Sequence, residues 1–208
     1  QENWDAALRD GVVVPAEATV AAGTFNGAGV AAAVAAAGTP AKAGTWEVVL
    51  YEKTAIGSGA QASNPWLQEM PDPVTKATWD NYATISAAAA KELLGIDLTK
   101  NGDADSYEVN PKKPVIAIKV NGKEMKLPVI IVPGTQKNTI GIAVGYGRSE
   151  NVGVAVKGAG QNAYPLATIA NGVVTYAAYD ATVTATDELY EVAQNQTHNS
   201  YEGRMEVV

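Results

Sequence analysis

The sequence predicts a mainly β fold with a few helices, in which short strands close into a barrel or pack as a sandwich. Runs rich in Val, Ile, Thr and Tyr recur along the chain, and Gly, Asn and Pro separate them. This spacing of short strands and turn signals favours a barrel or sandwich over a doubly wound sheet. Asn121–Gly122, between two such runs, is the strongest hairpin signal in the chain. Helix-forming runs are fewer than strands.

Composition narrows the classes of function. The chain has 208 residues, enough for one large domain or two small ones, and 47% of them are hydrophobic. A formal charge of -7 makes nucleic acid an improbable partner, and no apolar tract is long enough to insert directly into a membrane. The absence of Cys excludes disulfides, thiolate-bound zinc and Cys-held iron-sulfur clusters. His198 is the single His, and we interpret it as a loop or surface residue.

The N-terminal part of the chain predicts one helix and leaves a second open. Residues 3–10 place Trp4 and Leu8 on one helical face, and Gly11 stands where the helix would end. Pro15 then favours extended backbone from residue 12 onward. The Ala-rich stretch Ala16–Gly44 is compatible with a loop or with a helix near residues 30–37. The opening without Met leads us to expect an excised part of a longer protein.

The next segment contains a strand, a long loop and a helix. Thr45–Tyr51 alternates β-prone residues and predicts a strand. Gly57–Pro73 is rich in Gly, Ser, Asn and Pro, so we expect a long ordered loop, with regular helix excluded by its three prolines. Ala87–Leu94 predicts a helix, because Ser86 is a good N-cap and Gly95 a good C-cap.

The remaining elements are mostly strands. Asn101–Asp103 is interpreted as a turn. The predicted strands that follow are Val115–Val120, Met125–Val132, Thr139–Tyr146, Gly172–Tyr176 and Ala181–Ala185.

None of the short motifs, taken singly, indicates a catalytic or ligand-binding site. Gly145–Arg148 could approach an anion through its glycine amides and an Arg fork, but it lacks the third glycine and the helix of a dinucleotide fingerprint. Gly57–Gly59 is read as a flexible turn, since a nucleophile elbow needs a strand, a turn and a helix. Glu69 and Asp72 are read as residues that cap backbone amides in preference to an acid–base pair. The carboxylates between residues 97 and 105 are out of register for an EF-hand.

A series of segments in a fixed order is more specific than any one motif. The segments are Asn64–Thr75, Trp79–Asn81, Gly145–Arg148, Gln161–Leu166 and Gln196–His198. Together they resemble the molybdopterin oxidoreductase-like iron-sulfur subunit of bacterial alternative complex III, of the Bacteroidetes type. The resemblance runs from about Trp46 to Arg204.

The resemblance implies a double-psi β-barrel like that of aspartate decarboxylase, equivalent to a molybdopterin-dinucleotide-binding domain. We therefore expect an N-terminal helix and Ala/Gly-rich segment at residues 1–44, the barrel at residues 45–190, and a linker at residues 191–208. The linker would lead to an iron-sulfur domain that carries the clusters.

The resemblance also implies which residues face a pterin dinucleotide in catalytic relatives. These positions, here interpreted as vestigial, are Asn64, Gln68, Asp72, Gly145, Gly147, Arg148 and Asn162. No catalytic and no metal-binding residue is expected. Ala163–Tyr164 interrupts the Asn-Pro pair of the catalytic enzymes, and the alternative complex III branch is understood to lack the molybdenum cofactor.

The resulting hypothesis is a non-catalytic scaffold domain of a quinol-oxidising respiratory complex at the periplasmic face of the bacterial inner membrane. Its partners would be other domains of the same subunit and neighbouring subunits. The alternative is a functional molybdopterin guanine dinucleotide-binding domain of an oxidoreductase. A third interpretation, a secreted Ala- and Thr-rich adhesion module, would require a signal peptide and a surface anchor.

Overall fold

The structure is a computed structural model. It describes residues 2–12, 23–25, 27–36, 45–150, 152–170 and 173–195. The chain divides into two compact units, Gln1–Thr39 and Pro40–Val208.

The first unit contains two helices, α1 (Glu2–Asp10) and α2 (Gly27–Ala36). Helix α1 ends at Gly11, whose φ of 69° is left-handed and whose N–H donates to the Ala7 carbonyl at 2.9 Å. This is the glycine stop that the sequence predicts. Helix α2 shows that the Ala-rich stretch is helical in part, whereas the extended segment predicted after residue 12 lies largely outside the described residues.

The second unit is built around a closed barrel of six strands, with a two-stranded sheet beside it. The barrel strands are β1 (Trp46–Tyr51), β2 (Ala83–Ile85), β3 (Lys112–Val120), β4 (Lys123–Ile131), β5 (Thr139–Ala143) and β8 (Ala177–Glu191). The two-stranded sheet consists of β6 (Thr168–Ala170) and β7 (Val173–Thr175). The predicted mainly β fold with few helices is confirmed.

The barrel has an internal two-fold relation that the sequence does not reveal. Its order is β1-β5-β2-β4-β3-β8, with β1 parallel to β5 and β2 parallel to β4. The other four pairs, including β1 with β8 that closes the ring, are antiparallel. The strands β1, β2 and β3 form one half of the barrel, and β4, β5 and β8 form the other. Exchanging β1 with β4, β2 with β5 and β3 with β8 gives the same set of parallel and antiparallel pairs. Every pair joins a strand of one half to a strand of the other. This crossed arrangement is that of a double-psi barrel, as the resemblance implies.

The hairpin between β3 and β4 forms as predicted. Asn121 and Gly122 both have positive φ, 51° and 70°, the geometry that a two-residue type I′ turn requires. Predicted strand Thr139–Tyr146 ends earlier than expected, at Ala143, because a positive φ of 91° at Gly145 redirects the chain.

Three helices accompany the barrel: α3 (Pro65–Glu69), α4 (Ala87–Leu94) and α5 (Asn101–Val109). Helix α4 has the predicted caps, since the Ser86 hydroxyl accepts from the Ala89 N–H at 3.1 Å and Gly95 has a φ of 72°. Within the part of the chain that the structure describes, no helix meets the length and apolarity needed to span a membrane.

Two expectations about helices are wrong. The prolines of the Gly57–Pro73 loop do not exclude helix α3, because Pro65 stands in its first turn, where no amide hydrogen is needed. Asn101–Asp103 is the first turn of α5 and not a separate turn; the carboxylate of Asp103 lies where the helix dipole favours negative charge.

The barrel interior holds the main hydrophobic core. Alternating residues of the strands are fully buried, and Ala89 and Ala90 of α4 pack against them. The fully buried aliphatic side chains are Val48, Ile85, Ile116, Ile118, Leu127, Val129, Ile140, Ile142 and Val144. No room for a ligand is therefore expected inside the barrel, and any site must be built from the loops around it.

Candidate functional site

The candidate site lies where the chain leaves β1 and β5 and enters β2. These three ends share one edge of the barrel because β1 is parallel to β5 and β2 is antiparallel to it. The turns Gly57–Gly59 and Gly145–Arg148 and the segment Gly158–Asn162 meet there.

Two glycines of the predicted anion turn are required by the chain itself. A Cβ on Gly145 would lie 2.9 Å from the Gly59 Cα, and a Cβ on Gly147 would lie 2.2 Å from the Asn162 N. Both glycines have positive φ, 91° and 76°. Their lack of a side chain thus lets two stretches of backbone approach each other, a role that glycine fills without any ligand.

Two long side chains fix the Gly57–Gly59 turn. The Arg148 guanidinium donates to the Gly59 carbonyl at 2.6 Å, and the Tyr164 hydroxyl donates to the Ser58 carbonyl at 2.6 Å. The Gly57–Gly59 triplet is a turn, as predicted, but these two hydrogen bonds hold it in place, whereas the sequence predicts a flexible turn.

Backbone groups of the Gly145–Arg148 turn also form hydrogen bonds within the chain. The Gly147 N–H donates to the Ala159 carbonyl at 2.9 Å, and the Arg148 carbonyl accepts from the Gly158 N–H at 3.0 Å. The exposed Asn162 uses its Oδ1 to accept from the Tyr164 N–H at 3.1 Å.

The three site residues predicted on the Pro-rich loop hold that loop in shape. Asn64 is the N-cap of α3, its side chain accepting from the Trp66 N–H at 3.0 Å. Asp72 accepts from the N–H groups of Val74 and Thr75 at 3.0 and 2.9 Å, which is the capping role that the sequence favours. Glu69, its suggested catalytic partner, is exposed.

Gln68, the third of these residues, is only 2% exposed. Its Nε2 donates to the Ala62 carbonyl at 2.9 Å, while its Oε1 is a buried acceptor without a hydrogen-bond partner. The buried amide ties the loop to the turn that precedes α3.

A buried lysine that the sequence analysis missed lies at the centre of the site. The Lys53 ammonium lies 4.1 Å from the centre of the Tyr82 ring and 5.2 Å from that of Tyr146, and it donates to the Asp80 carbonyl at 3.2 Å. The residue is 5% exposed. Burial lowers the pKa of Lys53 to about 8, although the carboxylates of Asp72 and Asp80 oppose this shift. Cation–π contacts compensate part of the lost hydration.

Asp80 and Asn81, also missed as site residues, hold the Gly158–Asn162 segment. The Asp80 carboxylate accepts from the Gly160 N–H at 2.8 Å and from the Tyr190 hydroxyl at 3.0 Å. The Asn81 side chain bonds both the N–H and the carbonyl of Gln161, each at 2.8 Å. Burial raises the pKa of Asp80. The motif Trp79–Asn81 was a sequence signal for this region, but nothing in it indicated which backbone these side chains would bind.

The Gly158–Asn162 segment forms a wall of two adjoining cavities. One, of about 340 Å³, lies between it and Leu127, Pro128 and Tyr190. The other, of about 530 Å³, is lined by Gly147, Asn162 and the lysines Lys123 and Lys126. Lys126 forms an ion pair with Glu188, so one of the two lysine charges is balanced.

The seven predicted cofactor-binding residues do not converge on one cavity. Gly147 and Asn162 line the larger cavity, whereas Asn64, Gln68 and Asp72 stabilise the Pro-rich loop. Gly145 and Arg148 contact Gly59. At the Gly145–Arg148 turn, the Gly147 N–H and one Arg148 guanidinium nitrogen already bind backbone carbonyls of the chain itself.

Among the residues that the structure describes, no group of three or more His, Cys, Asp or Glu side chains could hold a metal ion. Asp97, from the region with EF-hand-like spacing, forms an ion pair with Lys91 at 2.7 Å. His198 lies outside the described residues.

Comparison with known proteins identifies no family. No family model matches the chain, and no curated protein matches its sequence. Among solved structures, acetylene hydratase from Pelobacter acetylenicus is similar with a TM-score of 0.42 and 13% identity, over 67% of this chain and 18% of that chain. The likeness is distant and covers less than a fifth of that protein. At these values nothing about ligand, activity or partners follows from it.

Proposed function

We propose that the chain is a non-catalytic scaffold domain of an electron-transfer subunit that resembles molybdopterin oxidoreductases. Its setting would be a quinol-oxidising respiratory complex at the periplasmic face of the bacterial inner membrane. Its partners would be other domains of that subunit and neighbouring subunits.

One observation carries the proposal: groups suited to holding phosphate bind the chain itself. The Gly147 N–H and one Arg148 guanidinium nitrogen each donate to a backbone carbonyl of the chain. An anion could use the Gly147 N–H only by displacing the Ala159 carbonyl, which would then lose its hydrogen bond, and it would share the Arg148 guanidinium with the Gly59 carbonyl. The geometry therefore favours a region that stabilises shape.

A second candidate is a working site for molybdopterin guanine dinucleotide. It is favoured by the 530 Å³ cavity, which has Gly147 and Asn162 on its wall and Lys123 and Lys126 at its rim. The volume suits part of such a molecule, and the lysines could pair with phosphate.

Calorimetric titration separates the two candidates. The purified chain is titrated with molybdopterin guanine dinucleotide and, as a simpler phosphate probe, with GDP. The scaffold proposal predicts that neither ligand shows saturable binding when its concentration is raised to about 1 mM, because contacts weaker than that are non-specific.

Binding of one molecule per chain with a Kd below about 10 µM would overturn the scaffold proposal. If that binding is weakened in Lys123→Met and Lys126→Met, which line the cavity, but not in the exposed Lys119→Met, the second candidate replaces it. A thermal shift measured with the same ligands provides an independent readout, because a ligand that binds the folded state stabilises it.

A further inference from the structure

We call the two adjoining cavities along the Gly158–Asn162 segment the groove, and this segment the groove wall. The backbone just before Asp80 and Asn81, whose side chains bind that wall, is strained at Trp79. The Asp80 N–H donates to the Thr78 carbonyl at 2.7 Å, and Trp79 between them has a φ of 62°. A hydrogen bond between residues i and i+2, with a positive φ at the residue between them, defines the classic γ-turn, which is rare and strained. For a bulky residue such as Trp, the positive φ is a clear outlier. Lys76, three residues earlier, also has a positive φ, of 60°.

A short segment after β8 holds this strained loop. The Thr78 N–H donates to the Ala193 carbonyl at 2.9 Å, and the Asn195 N–H donates to the Lys76 carbonyl at 2.8 Å. The Gln194 side chain adds a hydrogen bond of 2.9 Å to the Thr75 carbonyl. We call the segment Val192–Asn195 the latch. Its first residue, Val192, is 1% exposed and packs with Ala77, Tyr82 and Ile130, which fixes where the latch begins.

The strained turn aims the two side chains that hold the groove wall. Asp80 directly follows Trp79, and Asn81 follows Asp80. Their side chains bind the backbone of Gly160 and Gln161, the segment shared by both cavities. A change of conformation at Trp79 would therefore move the Gly158–Asn162 wall.

We propose that Val192–Asn195 is a releasable latch, and that releasing it relaxes the γ-turn at Trp79 and frees the groove wall at Gly160–Gln161. Strained backbone persists only where its surroundings enforce it. Here the latch holds Thr78 and Lys76, and the Gln68 carbonyl accepts from the Trp79 N–H at 2.8 Å, so the latch supplies part of the enforcement. This inference does not depend on the proposed function.

Residue-resolved hydrogen exchange of the whole chain tests the latch. Asn195→Pro removes the N–H that donates to Lys76, and Asn195→Ala is the matched control because it keeps that N–H. We expect the amides of Asp80, Gly160 and Gln161 to exchange about tenfold faster in Asn195→Pro than in Asn195→Ala, while the barrel amides of β3 and β4 keep their protection. Equal exchange at Gly160 and Gln161 in the two variants would overturn the proposal.

A second variant separates strain from simple loosening. Glycine adopts positive φ readily, so Trp79→Gly should let the turn persist without the latch. In that background the ratio of exchange rates between Asn195→Pro and Asn195→Ala should fall toward one at Gly160. If the ratio is unchanged, strain at Trp79 does not drive the release and the proposal fails. Should Asn195→Pro not fold, Gln194→Met, which removes only the side-chain bond to Thr75, takes its place in both comparisons.

Discussion

The ammonium group of Lys53 lies between two tyrosine rings at 5% exposure, although its sequence neighbours Glu52 and Thr54 are exposed. Nothing local distinguishes it from the surface lysines of the chain. Its burial results from Tyr82 and Tyr146, which come from distant parts of the sequence. Ser86 and Gly95, in contrast, are predictable from the sequence because a cap depends on residues within one helical turn.

At residue scale, the close approach at Gly147 gives the first prediction. A methyl group there would lie 2.2 Å from the Asn162 N, and the φ of 76° would strain any L side chain. We expect Gly147→Ala to lower the free energy of unfolding by about 3 kcal/mol or more, measured by urea denaturation.

Gly153→Ala is the matched control for Gly147→Ala. No atom lies within 4 Å of the Cβ position at Gly153, and no positive φ is recorded there. Its effect should stay within about 0.5 kcal/mol. Similar losses for both variants would contradict the view that Gly147 is required for a close backbone contact.

The elements show which predictions depend on local signals. The β3–β4 hairpin follows from Asn121–Gly122, and α4 follows from its caps, so both could be predicted. At Asn101–Asp103, where α5 begins, the sequence predicts a turn because Asn-Gly is a turn signal. Lys100, the N-cap of the helix, has no side-chain capping hydrogen bond that could have indicated a helix start. Its one buried residue, Tyr107, binds the Val129 carbonyl and the Ile131 N–H of β4 through its hydroxyl. That tertiary contact is absent from any local pattern.

At element scale, α5 gives the next prediction. Gly102 lies in its first turn, and a Cβ there would meet no atom within 4 Å. Gly102→Ala should therefore stabilise the protein by roughly 0.5–1 kcal/mol, since alanine loses less backbone entropy in a helix.

Gly134→Ala provides the contrast to Gly102→Ala. Its Cβ would also be unobstructed, but its φ of 89° is strained for alanine, so it should destabilise the protein. Urea midpoints of the two variants and of the unchanged protein, measured together, would test the expected gain for Gly102→Ala and the expected loss for Gly134→Ala. A destabilised Gly102→Ala would mean that α5 does not form.

For the whole molecule, the sequence predicts the class of fold but not its strand order. All six strand pairs of the barrel join one half to the other, and β1 pairs with β8 across more than a hundred residues. Hydrophobic alternation identifies strands and their buried faces, but it does not specify distant partners. The candidate site depends on those partners, so Asp80, Asn81 and Lys53 could not be assembled from spacing alone.

The pH dependence of stability is a property of the whole molecule, and buried ionisable groups determine it. The folded pKa of Lys53, about 8, is below its ordinary value of 10.5, so the unfolded chain binds more protons between those values. Stability should therefore rise as the pH increases from about 8 to about 10, by up to ~3 kcal/mol. Burial raises the pKa of Tyr51 to about 12, so above pH 10 the unfolded chain loses that proton first and stability should fall.

Urea denaturation between pH 7 and 11 measures this profile. Lys53→Met should reduce the rise between pH 8 and 10 while keeping the fall above pH 10; part of the rise should remain, because burial also lowers the pKa of Lys113. The exposed Lys119→Met should leave both the rise and the fall unchanged. An undiminished rise in Lys53→Met would show that Lys53 does not contribute to it.

The interlocked pairing of the barrel halves has a consequence for synthesis on the ribosome. While β1, β2 and β3 emerge, none of them meets a strand with which it pairs in the finished barrel, because all their partners are encoded downstream. The hairpin of β3 with β4 is the first native sheet contact available, and the ring can close only after β8 has been translated. Until β4 is complete at Ile131, the nascent chain therefore carries β1, β2 and β3 without their native partners, a stage at which chaperone binding would protect it.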